Sequence, residues 1–316
     1  GNLERCKIYL IDCKSHSFSK KDFARLLEGE LYIDKQNYQY LGKNVNFNNL
    51  KKYAGYSIVT LNDSTIVYDN GVSINIDRDK KTINIIQEKE GSKIFIINGN
   101  LKNFKIIFKG LNITKNEQTL NTGNFLRNYP VDINGITGCL SLINLKVKNI
   151  EIKADGSSCE DTVNFINVTG SAKIITIDNS FSDALDIDFS DLEISNINIL
   201  NAGNDCVDFS SGKYKVKNLK LKNCGDKALS VGEKSLLTLD NIIAENAITG
   251  IASKDSSIVN LNAANFNSLS TCLSAYNKKQ EFNGGLIKVK DMNCINYNNK
   301  IITDEFSNII RENNNL

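Results

Sequence analysis

Five aspartates are the residues most able to do chemistry together: Asp183, Asp186 and Asp188, then Asp205 and Asp208. The second group repeats the first at an offset of 22 residues, Asp183 onto Asp205 and Asp186 onto Asp208. If that offset is one turn of a stacked structure, matching carboxylates lie about 4.8 Å apart. Two ionised carboxylates at that distance repel by roughly 3–4 kcal/mol at an effective dielectric of about 20. Such a group needs a bound cation, a nearby lysine, or carboxyls that hold their protons through raised pKa values. Two lysines share the register. Lys227 lies one period beyond Asp205, and Lys254 one period beyond Gly232. Surface strands also carry charge merely to stay soluble and unpaired, and aspartate favours turns. Stacked like charges serve neither purpose well, so crowded titratable groups here point to a functional site.

These residues need an element that repeats. Asp183-Ala-Leu-Asp186-Ile, Asp205-Cys-Val-Asp208-Phe, Lys227-Ala-Leu-Ser230-Val, Thr249-Gly-Ile-Ala252-Ser and Thr271-Cys-Leu-Ser274-Ala share one constant offset. A fixed period of this size means stacked supersecondary units. Within each copy apolar and polar residues alternate, which is strand periodicity with one face buried. Leu185, Ile187, Phe189, Val207 and Phe209 point inward, so Asp186, Asp188 and Asp208 point outward. Leu185, Val207, Leu229, Ile251 and Leu273 should form one interior column. Asparagine recurs in register at the corners, as Asn179, Asn201 and Asn223 and as Asn196, Asn218, Asp240 and Asn262. Asparagine tolerates left-handed turns and can bond its own kind in the next layer. The pattern predicts an all-β fold, a right-handed parallel β-helix of about 22 residues per coil. The L-x-x-L-x-L signature of a leucine-rich repeat is missing.

The rest of the chain frames the repeats. Residues 1–60 do not repeat and read as an N-terminal cap. It has a strand at Cys6–Asp12 and a short helix from Ser19 to Leu27 with serine at its N-cap. Residues 61–310 read as the β-helix, with irregular early coils from about Tyr56 and regular coils from about 139. Residues 115–137, with the only proline, form a long loop able to wall the groove. The insertion from Asn277 to Gly285 is a second wall, carrying Lys278, Lys279 and Glu281. The lone histidine, His16, falls in the cap, so histidine chemistry is not expected. Net charge is +2, so there is no overall field for nucleic acid. Aromatic interleaving for single strands is also absent. No apolar run reaches membrane-spanning length. The alternating lysines from Lys213 to Lys222 read as a solvated sheet face. Without C-x-x-C spacing, the eight cysteines are read as free thiols filling the stack rather than as a zinc site.

Three motifs carry a resemblance. Ser182-Asp183-Ala-Leu-Asp186, Gly203-Asn204-Asp205-Cys206-Val207 and Gly225-Asp226-Lys227-Ala-Leu-Ser-Val-Gly232 resemble, over about 75 residues, the polygalacturonases of the pectate-lyase-like β-helix superfamily. Asn204 stands where that family has its general acid, and Lys227 where it has histidine. An amide cannot donate a catalytic proton. Directly stacked carboxyls are also closer than the roughly 6.5–9.5 Å an inverting pair needs. Asp183 with Asp205-Cys-Val-Asp208 is also similar to the calcium site of pectate lyases. That likeness implies Asp183, Asp186, Asp205 and Asp208 as Ca2+ ligands, with Lys227 or Lys254 as the base. Asn204, Asp188, Glu233, Tyr276, Lys278 and Lys279 would then bind substrate. The implied activity is calcium-assisted proton abstraction from an acidic polysaccharide or oligosaccharide, as a lyase or C5-epimerase. The alternatives are a non-catalytic binding or assembly module and a hydrolase with an altered acid. The motif around Lys227 also resembles uncharacterised bacterial β-helix proteins of surface-polysaccharide gene clusters. An extracellular, periplasmic or cell-surface setting would follow from such a substrate.

Overall fold

The computed structural model describes residues 37–40, 43–46, 56–112 and 136–311. The expected cap strand and cap helix, His16, Pro130, most of the first wall loop and the last five residues lie outside them. The described residues form strands and turns without a helix. No helix there is long and apolar enough to cross a membrane.

Parallel coiling follows the sequence period. Short strands at Gly138–Ile143, Asp161–Ile166, Asp183–Asp188, Val207–Ser210 and Lys227–Gly232 stack in order. The final turns of the long strands Leu236–Lys254 and Ile258–Tyr276 continue the same sheet. Leu185 pairs with Val207, Val207 with Leu229, Leu229 with Ile251, and Ile251 with Leu273. All five side chains are fully buried, as the predicted interior column requires. A second wall is built from longer strands, among them Thr169–Ser180, Asp191–Ala202 and Lys213–Cys224. Tyr214 is buried in this interior, stacked on Phe209 at 4.5 Å, with its hydroxyl 2.9 Å from the carbonyl of Ile187.

Asparagine makes the corners. Asn179, Asn201 and Asn223 adopt φ of 59°, 62° and 58°, the left-handed conformation that asparagine tolerates. Each side-chain amide donates one coil back, Asn179 to Asp155 at 2.9 Å, Asn201 to Asn179 at 3.0 Å and Asn223 to Asn201 at 2.8 Å. The second ladder runs from Asn218 to Asn196 as expected, but the next rung is Asn241, not Asp240. The cause is one added residue in the coil that brings Lys213 under Leu236, at the turn of Glu233 and Lys234, both with positive φ. Asp240 instead accepts from Asn262.

Two expectations are corrected. The early strands are hairpins, not irregular coils. Tyr56–Leu61 pairs antiparallel with Ser64–Asp69, and Val72–Asp77 with Thr82–Gln87. Asn62, at φ 54°, lets the first pair close through a two-residue turn, which forces antiparallel pairing. Parallel coiling begins where Thr82–Gln87 meets Lys105–Asn112.

The free-thiol reading is also overturned. Cys139–Cys159, Cys206–Cys224 and Cys272–Cys294 are disulfides, while Cys6 and Cys13 lie outside the described residues. Stacking explains the pairing. Cys224 sits directly under Ala202, four residues before Cys206, so one turn of the coil returns the second cysteine to the first. Replacing Cys206 and Cys224 together by serine should cost about 3 kcal/mol, the loop-closure value for a segment of this length. A urea midpoint equal to that of the parent would show that the bond adds nothing.

Candidate functional site

The outer face of the short-strand sheet carries one column of oxygen-bearing side chains. Asn164 pairs in register with Asp186, Asp186 with Asp208, and Asp208 with Ser230. Alternation around Leu185 and Val207 turns all four away from the interior. Three of them hold a buried oxygen without a hydrogen-bond partner: Asn164 Oδ1, Asp208 Oδ1 and Ser230 Oγ. Asp161 Oδ2, beside the column at the corner, is a fourth. Buried polar atoms are rarely left unpaired, so each such group calls for an explanation.

The corner aspartates behave differently. Asp183 Oδ1 accepts from the backbone amide of Asp205 at 2.9 Å and from Asn204 Nδ2 at 2.7 Å. Asp205 Oδ1 accepts in turn from the amide of Lys227 at 2.9 Å. Each aspartate thus caps the next coil's free N–H. Asn204 orients a carboxylate here. Asp205 and Asp208 meet different lysines. Asp205 meets the Lys227 ammonium at 3.4 Å, and that ammonium also pairs with Asp226. Asp208 instead meets Lys254 Nζ at 3.4 Å.

Lys254 belongs to the outer column of Asp188, Ser210 and Gly232, with Tyr276 one coil further. Its side chain runs back across Gly232 to reach Asp208 two coils away. A Cβ at Gly232 would lie 2.8 Å from Lys254 Cε, so a larger residue there makes the lysine chain shift. The insertion after Tyr276 closes over the same side. Asp255 Oδ1 accepts from the amides of Lys278 and Lys279, both at 2.7 Å, and Lys279 reaches back two coils to pair with Glu233. Lys278 therefore anchors this wall through its backbone.

Electrostatics divides the face into two halves. Burial, with Glu233 and Asp208 close by, raises Asp188 to about 8, although Asn164 partly offsets this by donating to it at 3.4 Å. Burial and the surrounding aspartates push Asp161 and Asp186 well above the ordinary carboxylate range. Burial also raises Asp183, against the bonds from Asp205 and Asn204. It lifts Asp205 to about 6, against the attraction of Lys227. Burial alone would lower both lysines, but Asp205 and Asp226 outweigh it at Lys227, and Asp208 at Lys254, so both are raised. Both are ammonium ions at neutral pH. The neutral-amine base expected at Lys227 would exist only after its partners are neutralised.

No protein-family model, curated protein or solved structure matches this chain. The β-helix therefore stands on its own geometry, and the pectate-lyase resemblance on its three motifs.

The site has members the sequence reading passed over. Asp161 and Asn164 lie one coil before Asp183 and Asp186, in register with them. Asp161-Thr-Val-Asn164 repeats the spacing of Asp183-Ala-Leu-Asp186, so the signal was the period itself. Ser230 was in the alignment but carried no charge to single it out. Among the described residues, no three carboxylate, histidine or cysteine side chains close on one point. The unpartnered atoms are nonetheless all hard oxygens, the donor type that calcium takes.

Proposed function

We propose that this face binds an acidic polysaccharide along the coil axis and acts on it by proton abstraction beside its carboxylate, as a lyase or C5-epimerase. The observation that carries the reading is the stacked column Asn164–Asp186–Asp208–Ser230, in which Asn164, Asp208 and Ser230 each hold a buried oxygen without a partner, next to two lysines. Asp186 and Asp208, with Asn164 and Ser230, would hold a calcium ion. Bound there, calcium supplies Lewis-acid stabilisation of a uronate carboxylate. Lys254 and Lys279 offer positive charge for the same carboxylates. Lys227 would be the base only if calcium also drew Asp205 away from it and substrate binding broke its pair with Asp226. The three disulfides fit an oxidising compartment, which suits a cell-surface or secreted site of action.

A second reading rests on Asp188. A carboxyl raised to about 8 keeps its proton at neutral pH and can protonate a glycosidic oxygen, the task of a hydrolase acid. A panel of acidic glycans separates the two. With calcium present, the lyase reading expects absorbance from unsaturated uronates, lost in Lys227→Ala and kept in Asp188→Asn. New reducing ends without unsaturation, lost in Asp188→Asn, would replace it with the hydrolase. Binding without turnover would leave a polysaccharide-binding module.

A further inference from the structure

The carboxyl face is a short window with a stop at each end. Asp186 and Asp208 are the two open members of their outward column between Phe95 and Ser274, and every other member is buried. Toward the early coils the column passes through Asn164 and Ser141 to Phe95, all fully buried. The neighbouring outward column, which holds Asp188, turns apolar over the same coils, as Ile166, Ile143 and Ile97. Phe95 and these isoleucines form a cluster outside the coil, together with Val67 and Ile136. Phe189 packs against it. Alternation alone would turn Phe189 inward, but it has a φ of 50° and joins the outer cluster. A hydrated sugar chain has no path through such a cluster, because its hydroxyls would give up water with nothing to bond.

The later coils close the other end. There the column becomes Ser230 and Ala252, both fully buried. Lys254 lies across this stretch on its way over Gly232 to Asp208. The wall after Tyr276 is pinned beside it by Asp255 and by the pair of Lys279 with Glu233. What remains open runs from Asp186 to the half-buried Lys227, two steps between coils or about 10 Å.

We propose that this window receives the end of an anionic glycan and not a stretch within one. The proposal rests on the polysaccharide reading of this face and narrows it to chain ends. A pyranose unit is roughly as long as one step between coils, about 5 Å. The window therefore holds one or two sugars, and the rest of the chain leaves the face outward. A groove for the interior of a polymer would need these outward columns open over several more coils, with polar residues where Ile143 and Ile166 stand.

Calorimetric titration of the full chain in calcium tests this, with galacturonate and alginate oligomers of two to six sugars and with both polymers. Affinity should rise over the first sugars and then stop, so that tetramer and hexamer agree within about twofold. Each polymer should bind one protein per chain, whatever its length. A bulky dye on one end of the hexamer should abolish binding, and the same dye on the other end should leave it unchanged. Asp186→Arg, which fills the window, should abolish binding of every member. Affinity that climbs to the hexamer, many copies bound per polymer chain, binding that tolerates the dye at either end, or full binding by Asp186→Arg would each overturn the proposal and leave glycan binding standing. A panel in which nothing binds would overturn both.

Discussion

Raising the pH from about 5 to about 8 in a chelator should lower the thermal stability of this protein, and calcium should restore it. The sign comes from Asp188. Its unfolded pKa is about 3.9, and its folded value is raised to about 8. Between those limits the native state holds a proton that the unfolded state has lost, so stability falls as pH rises through the window. The contribution is fully present below about pH 4 and gone above about pH 8. Asp161 and Asp186, raised by burial and by one another, act in the same direction. Asp188→Asn should flatten the profile and raise the midpoint at pH 8, because an amide needs no proton to stay neutral. A cation on the oxygen column competes with those protons, so calcium should raise the midpoint more at pH 8 than at pH 5. A midpoint independent of pH in the parent would mean that these carboxyls are ionised and solvated. A midpoint that ignores calcium at pH 8 would remove the cation from the proposed function.

Lys254→Ala should be among the most damaging single changes on the groove face. Its ammonium ties its own coil to that of Asp208 two coils earlier, as Lys279 after Tyr276 is tied to Glu233. Both Lys254 and Asp208 are largely buried, with side-chain exposures of 9% and 21%. Removing one partner leaves an uncompensated charge beside Asp186 and Asp205, a loss of about 3–5 kcal/mol for a buried pair. The discriminating variant is Lys254→Met with Asp208→Asn, which keeps the volume and removes both charges. It should recover most of the loss. Gly232→Ala should reproduce part of the damage, because its methyl group occupies the path of the lysine. Urea unfolding of the four proteins provides the measurement. If Lys254→Ala and the double variant share the parent's midpoint, the pair is solvent-screened and contributes only as a surface bridge would.

The period made the architecture legible. Each coil touches only its neighbours, so a constant offset is enough to say which residues stack. It placed Leu185 on Val207 and Asp186 on Asp208, and it put asparagine at the corners. Between Asp183 and Tyr276 it lost the count by one at Glu233 and Lys234, where an added turn residue leaves no mark in the hydrophobic pattern. The early hairpins were harder to read. Their strands alternate like those of the coils, and only the short turns at Asn62 and at residues 78–81 set their direction.

The sequence by itself determined the coil, its register and the face on which the carboxyls gather. The tertiary structure alone decided which atoms those side chains meet. Register fixes where a Cβ lies, but a lysine chain long enough to cross two coils chooses its partner by what blocks its way. Hence Lys254 passes over Gly232 to Asp208, and Lys279 returns to Glu233. Asp183 and Asp205 look equivalent to Asp186 and Asp208 as letters, yet the corner turns the next coil's amide toward them and occupies their oxygens. The disulfides follow the same rule, since the cysteines meet through the closure of a turn and not through their spacing. What remains open, the unpartnered oxygens of Asp161, Asn164, Asp208 and Ser230, emerges only once every neighbouring donor has been assigned.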